Sequence, residues 1–145
     1  MVWVISLVAI GYILGYFMKV QVNTWYKTLK RSPLTPPSYV FGVVWTLLYV
    51  MIGTAGWFLW SYKKHKMLKN LYIIQLILNW TWSPIFFNSH SILPSFISII
   101  INTLVVSTLV FLSFSKIRTV SLMLLPYMCW LLFATYLNFY IWYFN

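Results

Sequence analysis

Trp25-Tyr26-Lys27-Thr28-Leu29-Lys30-Arg31-Ser32-Pro33-Leu34-Thr35-Pro36-Pro37-Ser38-Tyr39-Val40-Phe41-Gly42-Val43-Val44-Trp45-Thr46-Leu47-Leu48-Tyr49 joins a basic, triple-proline loop directly to an aromatic-rich apolar run. Proline is excluded from helix interiors but tolerated in the first turn, where its missing N–H would have had no partner. Pro36-Pro37 therefore mark a helix start. Trp25, Tyr26 and Tyr39 flank that start at the depth where amphipathic rings settle in a bilayer. The segment reads as a surface loop entering a membrane span.

The rest of the chain agrees about the solvent. Its 145 residues are 62% hydrophobic, 21% aromatic and 7% charged, and a water-soluble domain of this size cannot bury so much apolar surface. The ten Lys and Arg residues fall into three clusters, Lys19 to Arg31, Lys63 to Lys69, and Lys116 with Arg118. Between and around them lie apolar runs at about 2–18, 38–62, 71–87, 93–114 and 122–144, near the roughly 20 residues that a hydrocarbon core requires. The fold class expected is all-α: one integral membrane domain, a five-transmembrane-helix bundle with its termini on opposite sides. The first run has no preceding Lys or Arg and no small-residue cleavage pattern after it, which favours a retained span over a signal peptide. Positive residues divide six to four between the two sides, a split too even for the positive-inside rule to assign an orientation.

There is no Asp and no Glu. Carboxylate acid–base pairs, Asp-oriented triads, oxygen cages for magnesium or calcium and acidic proton relays are all excluded. No metal ligand set is expected, because His65 and His90 lie in connecting loops without a second His or Cys at ligand spacing. Cys129 stands alone and is expected as a small core residue of the last span. The formal charge of +10 flanks the spans and matches attraction to lipid headgroups, not nucleic acid.

Polar residues inside spans carry more information, since a buried amide in lipid needs a partner. Gln75, Asn79 and Ser83 recur every four residues along the third run, with Trp82 on the adjoining face. Trp130, Ala134 and Asn138 do the same in the fifth, beside Leu137 and Phe133. Such stripes serve either helix packing or a ligand chamber. In the first case the amides are interhelical glue, and Gly11 with Gly15, and Gly53 with Gly56, are close-approach points. In the second, Trp45, Tyr49, Trp82 and Trp130 line one aromatic cavity with Asn79 or Asn138 as its fixed polar groups.

Three co-linear blocks carry a resemblance. Trp25-Tyr26-x-x-Leu29 … Pro36-Pro37-Ser38-Tyr39-Val40-Phe41-Gly42-x-x-Trp45-x-x-Leu48-Tyr49 is followed by Gln75-Leu76-x-x-Asn79-Trp80-x-Trp82-Ser83-Pro84-Ile85-Phe86-Phe87. The third is Leu125-Pro126-Tyr127-x-x-Trp130-x-x-Phe133-Ala134-Thr135-x-Leu137-Asn138. Together they resemble the translocator protein family, also called tryptophan-rich sensory proteins or peripheral-type benzodiazepine receptors. The resemblance implies a five-helix bundle that binds protoporphyrin-type tetrapyrroles such as protoporphyrin IX, sterols and synthetic ligands in a cavity beneath the first loop, with no required cofactor. By motif position Trp45, Trp82 and Trp130 are wall aromatics, Asn79 a polar contact, and Ala134 and Leu137 the floor. Trp25, Tyr26, Lys30, Arg31, Pro36 and Pro37 belong to the covering loop, where Lys27, Lys30 and Arg31 are the cations nearest to a propionate.

The chain departs from the family pattern at three places. Leu34 stands where a loop tryptophan is common, and Ser98 or its neighbourhood stands where a fourth-helix carboxylate is common. No basic residue closes the C-terminal stretch Leu137 to Asn145, where animal members carry a sterol motif, so tetrapyrroles rank above sterols as ligands. The resemblance also implies a homodimer, for which Gly11 and Gly15 offer a contact. It places the protein in a mitochondrial outer membrane or a bacterial envelope. Three functions stay open: a receptor or transporter, an enzyme that photo-oxidises bound porphyrin through a cavity tryptophan, and a scaffold or channel subunit.

Overall fold

A computed structural model describes residues 2–145. The described residues form helices and no strand: α1 (Val2–Asn23), a single turn α2 (Trp25–Thr28), α3 (Ser38–Ser61), α4 (Lys66–Ser83) continued by a π-helical turn Pro84–Asn88, α5 (Ile92–Lys116) and α6 (Arg118–Phe144). α1, α3, α5 and α6 are long and apolar enough to cross a membrane. α4 is not among them. Its 18 residues include Lys66, Lys69, Asn70, Gln75 and Asn79; Gln75 and Asn79 turn inward, while Ile73, Ile74 and Ile77 form an exposed apolar face. The boundaries expected from sequence move accordingly: α1 runs five residues past Met18, and the third run starts at Lys66 instead of Leu71.

Pro37 is the last extended residue before α3, with φ −57° and ψ 150°, so the proline pair precedes the helix and does not occupy its first turn. The residue before a proline is pushed toward extended backbone, which keeps Thr35-Pro36-Pro37 out of the helix. Pro84 acts differently. Lacking an N–H, it cannot continue the α4 ladder, and the turn widens until the Ser89 N–H reaches the Pro84 carbonyl at 3.1 Å. The wider turn buries both Phe86 and Phe87.

The main core lies between α3, α4, α5 and α6, where Ile52, Ala55, Leu59, Leu68, Tyr72, Val106, Leu109, Leu124 and Tyr127 are fully buried. The polar stripe of α4 faces inward as the spacing requires, with Gln75, Asn79 and Ser83 all buried. α1 attaches at the side of the bundle and packs chiefly on α3. Gly53 lets α1 approach so closely that a Cβ there would lie 2.7 Å from the Val4 Cα, and a Cβ at Gly11 would lie 2.6 Å from the Tyr49 ring. Gly11 is thus committed inside the protomer. A Cβ at Gly15 would meet nothing within 4 Å. Cys129, contrary to expectation, is exposed, because its position on α6 turns it outward into a shallow apolar groove between Pro126 and Phe133 and the Val44–Met51 face of α3.

Connectivity sets the two ends apart. At one end lie Lys63 and Lys64 of the α3–α4 connection, Lys66 and Lys69 of the first turn of α4, and Lys116 and Arg118 on either side of the α5–α6 connection. At the other end the first loop meets the α4–α5 connection and the end of α6.

A tryptophan-lined chamber beneath the first loop

A cavity of about 1440 Å³ lies under the first loop, walled by α1, α3, α4, the π-helical turn and α6, with α5 contributing Ile99 and Asn102. α4 and α6 supply residues from their four-residue stripes and the faces beside them, and α3 adds two aromatics. α3 gives Trp45 and Tyr49, α4 gives Asn79, Trp82 and Ser83, and α6 gives Trp130, Ala134, Leu137 and Asn138. All eight residues expected at a ligand site thus line one space.

The rings are braced. Trp82 stacks on Phe86 with centroids 5.1 Å apart and an interplanar angle of 11°. Trp45 leans on Tyr49 at 5.5 Å, and Trp130 meets Phe41 edge-on at 5.7 Å. The indole N–H groups of Trp82 and Trp130 and the Asn138 Oδ1 are buried without a hydrogen-bond partner among the described residues. Such groups are costly unless something satisfies them. The Asn138 Nδ2 is already occupied, donating to the Ala134 carbonyl at 2.9 Å.

Through the chamber wall runs a buried hydrogen-bonded chain. The Tyr49 hydroxyl donates to Asn79 Oδ1 at 2.8 Å, Asn79 Nδ2 donates to the Tyr127 hydroxyl oxygen at 2.9 Å, and Asn102 Nδ2 donates to the same oxygen at 3.2 Å. It ties α3, α4, α6 and α5 together. Sequence reasoning did not single out Tyr127 or Asn102 for a role, although Asn102 is an amide inside an apolar span, the signal that identified Asn79.

The loop is fastened over the chamber at several points. Asn145 grips the Lys30 backbone twice, its Oδ1 accepting from the Lys30 N–H and its Nδ2 donating to the Lys30 carbonyl, both at 2.9 Å. Ser32 Oγ lies 3.0 Å from the Tyr136 hydroxyl and accepts from the Leu34 N–H. Trp25 stacks on His90 at 4.3 Å, and His90 Nε2 lies 3.1 Å from Gln21 Oε1. Of the loop residues expected at the site, Tyr26, Arg31, Pro36 and Pro37 line the cavity, whereas Trp25 and Lys30 do not. Trp25 instead supports the wall from behind by packing edge-on against Phe86 at 5.3 Å, and Lys30 is held through its backbone.

Three cations, Lys19, Lys27 and Arg31, edge the cavity. The Arg31 guanidinium sits 5.1 Å from the centre of the Tyr26 ring. Burial pushes the Tyr26 phenol above its ordinary pKa, and Arg31 opposes the rise by favouring the phenolate. Leu34 points away, exposed, so the residue replacing the loop tryptophan offers the chamber no surface. Among the described residues no three His, Cys, Asp or Glu converge. The arrangement offers apolar faces, indole donors and a basic rim.

Comparison with known proteins identifies the architecture. The tryptophan-rich protein TspO of Archaeoglobus fulgidus is 35% identical over 145 aligned residues, covering 98% of this chain and 94% of that protein. That of Chlorobaculum tepidum is 36% identical over 90% of this chain and 85% of its own length. The human translocator protein is 29% identical over 81% of this chain and 73% of its own. The model of the TspO/MBR family matches residues 3–143, and the chain, an integral membrane protein, belongs to that family.

Proposed function

We propose that the protein is a membrane receptor or transporter for flat hydrophobic ligands, protoporphyrin-type tetrapyrroles first and sterols second, held in the chamber beneath the first loop. One observation carries the reading: tryptophans from three helices, Trp45, Trp82 and Trp130, face a single cavity of about 1440 Å³. That volume exceeds the roughly 300–1,000 Å³ of ordinary small-molecule sites and leaves room for a macrocycle. Flat rings gain from apolar burial and from stacking on indoles. Trp82 and Trp130 supply hydrogen-bond donors, Asn138 an acceptor, and Ala134 and Leu137 a low floor. Binding needs no resident cofactor.

In this reading α4 and the Pro84–Asn88 turn form a fifth crossing. Its polar stripe costs little because α3, α5 and α6 shield it from lipid, and its continuation through the π-helical turn lengthens it to Asn88. A homodimer would use surfaces other than Gly11, which the Tyr49 ring occupies.

Titration of purified protein in nanodiscs with protoporphyrin IX, followed by tryptophan quenching, tests the proposal. Saturable binding at micromolar concentration or below, weakened by Trp45→Phe, Trp82→Phe and Trp130→Phe, supports it. Absence of saturation overturns it and favours a scaffold or channel subunit. The same samples under illumination separate the enzyme from the receptor: protein-dependent bleaching of the Soret band that Trp130→Phe abolishes would assign photochemistry, and quenching without loss of pigment assigns binding.

A further inference from the structure

We infer that the chamber opens sideways to the bilayer through a slot between α1 and α3, and that ligands enter through it from the lipid, edge-on, with their acidic side at headgroup level. The inference rests on the binding reading above and adds the route and the shape of ligand that the route admits.

The slot follows from how two helices meet. α1 and α3 run antiparallel and touch tightly along one half of their length, with Gly53 against the Val4 backbone and Gly11 against the Tyr49 ring. Continuing the same register one turn further brings Gly15 level with the Gly42–Trp45 segment. There the contact ends. A Cβ built at Gly15 or at Gly42 meets no atom within 4 Å, yet both glycines border the cavity. Small residues that normally bring membrane helices together here flank a gap toward the loop end.

Exposure agrees with the packing. The cavity is bordered in this region by Tyr12, Tyr16 and Phe17 of α1 and Tyr39 of α3, which are 66%, 76%, 68% and 74% exposed. A closed chamber has no such walls. The opening is therefore apolar and aromatic and lies on the lipid-facing side of the bundle. Directly above it Lys19 ends the apolar part of α1, and Lys27 and Arg31 complete the basic rim. No Asp or Glu side chain exists in the chain to neutralise them. An amphiphile resting at the membrane interface, its acids among the headgroups and its flat body among the acyl chains, matches this pattern of charge above and grease below. It can slide inward without carrying its acids through hydrocarbon, whereas entry from water would require the loop to release Asn145 and Tyr136.

Rapid mixing of nanodisc-embedded protein with vesicles preloaded with protoporphyrin IX, followed by tryptophan quenching, tests the route. A Gly15→Cys/Gly42→Cys pair in a Cys129→Ser background, bridged by a bis-maleimide, is compared with the same protein unbridged. The bridged slot is expected to lower the association rate by about tenfold while leaving quenching at equilibrium intact, since related binding changes otherwise appear mostly in dissociation. Gly15→Phe/Gly42→Phe, accommodated by the open space at both positions, should slow association likewise. Protoporphyrin dimethyl ester should use the slot but lose the affinity advantage of the free acid, an advantage that Arg31→Gln also removes. An unchanged rate after bridging, with faster association in Asn145→Ala, would overturn the slot in favour of entry past the loop. If the unmodified chain does not bind protoporphyrin at all, the binding reading itself fails and the slot with it. Binding at an unaltered rate condemns the slot alone.

Discussion

Asn79 on α4 and Tyr127 on α6 share the hydrogen bond at the centre of the molecule: Asn79 Nδ2 donates to the Tyr127 hydroxyl at 2.9 Å while its Oδ1 accepts from Tyr49 at 2.8 Å. A single buried amide thus joins three helices at the cavity wall. It holds the Tyr49 ring where Gly11 needs it, and so links the fit of α1 to a polar network shared by α4, α5 and α6.

Replacing Asn79 by Leu leaves the Tyr49 donor without an acceptor. The loss expected is about 1–3 kcal/mol of unfolding free energy, measured by denaturation in detergent, and Tyr49→Phe alone should cost about 1 kcal/mol. In a double-mutant cycle Tyr49→Phe should cost less in the Asn79→Leu background. Strict additivity would show that the two side chains do not interact.

The glycines should separate into two classes. Gly53→Ala puts a methyl 2.7 Å from the Val4 Cα, a clash with backbone that only helix separation relieves, at a cost of about 1–3 kcal/mol. Gly11→Ala meets a ring that Asn79 prevents from swinging away. Gly15→Ala and Gly42→Ala meet nothing and should be neutral or stabilising by up to about 1 kcal/mol through helix propensity. Thermal shifts of the four single variants check the ranking.

Tyr26 links loop packing to alkaline pH. Burial raises its pKa and Arg31 lowers it, with burial the larger effect, so the folded loop favours the neutral phenol. The stability this gives is complete below the unfolded value of about 10 and is lost as pH rises through the higher folded value. Arg31→Gln removes the opposing influence and should move the Tyr26 titration further upward. Ultraviolet difference titration against a Tyr26→Phe control reads the shift; a downward movement would contradict the arrangement.

Asn145→Ala deletes both bonds to the Lys30 backbone. Amide exchange across residues 29–35 should accelerate by about tenfold or more, because exposed loop segments open locally once their ties are cut, while exchange in α5 stays unchanged. Equal acceleration throughout would mean that Asn145 supports the whole bundle and not the loop.

Much of this was legible in the residues. Four-residue spacing placed Asn79 and Ser83 inside the bundle and aligned Trp130, Ala134 and Asn138 on one face, because helical period alone decides which side chains share a side. What escaped was set by tertiary packing. Cys129 was expected in the core and is exposed, since small apolar residues suit lipid and protein surroundings equally. Trp25 and Lys30 lie in the right loop, but their direction depends on His90 and Asn145, partners 65 and 115 residues away in the chain. The third run was expected to begin at Leu71, yet α4 begins at Lys66: charged side chains at a helix end can reach the interface, so they need not interrupt the helix. Gly15 and Gly42 carry no signal in sequence that separates them from Gly11 and Gly53, because the same residue serves a tight contact and an open gap.

The most direct test of the chamber is to fill it. Ala134 forms part of its floor, and Ala134→Phe places a ring in the space assigned to ligand without removing any side-chain hydrogen bond, since the contact with Asn138 uses the Ala134 backbone carbonyl. Protoporphyrin IX titrations of the unmodified and Ala134→Phe proteins, each with its unfolding temperature recorded, should show affinity falling by at least about tenfold, roughly 1.4 kcal/mol, with the unfolding temperature kept or raised. Undiminished affinity in a folded Ala134→Phe protein would place the ligand elsewhere and contradict the assignment of the chamber as its site.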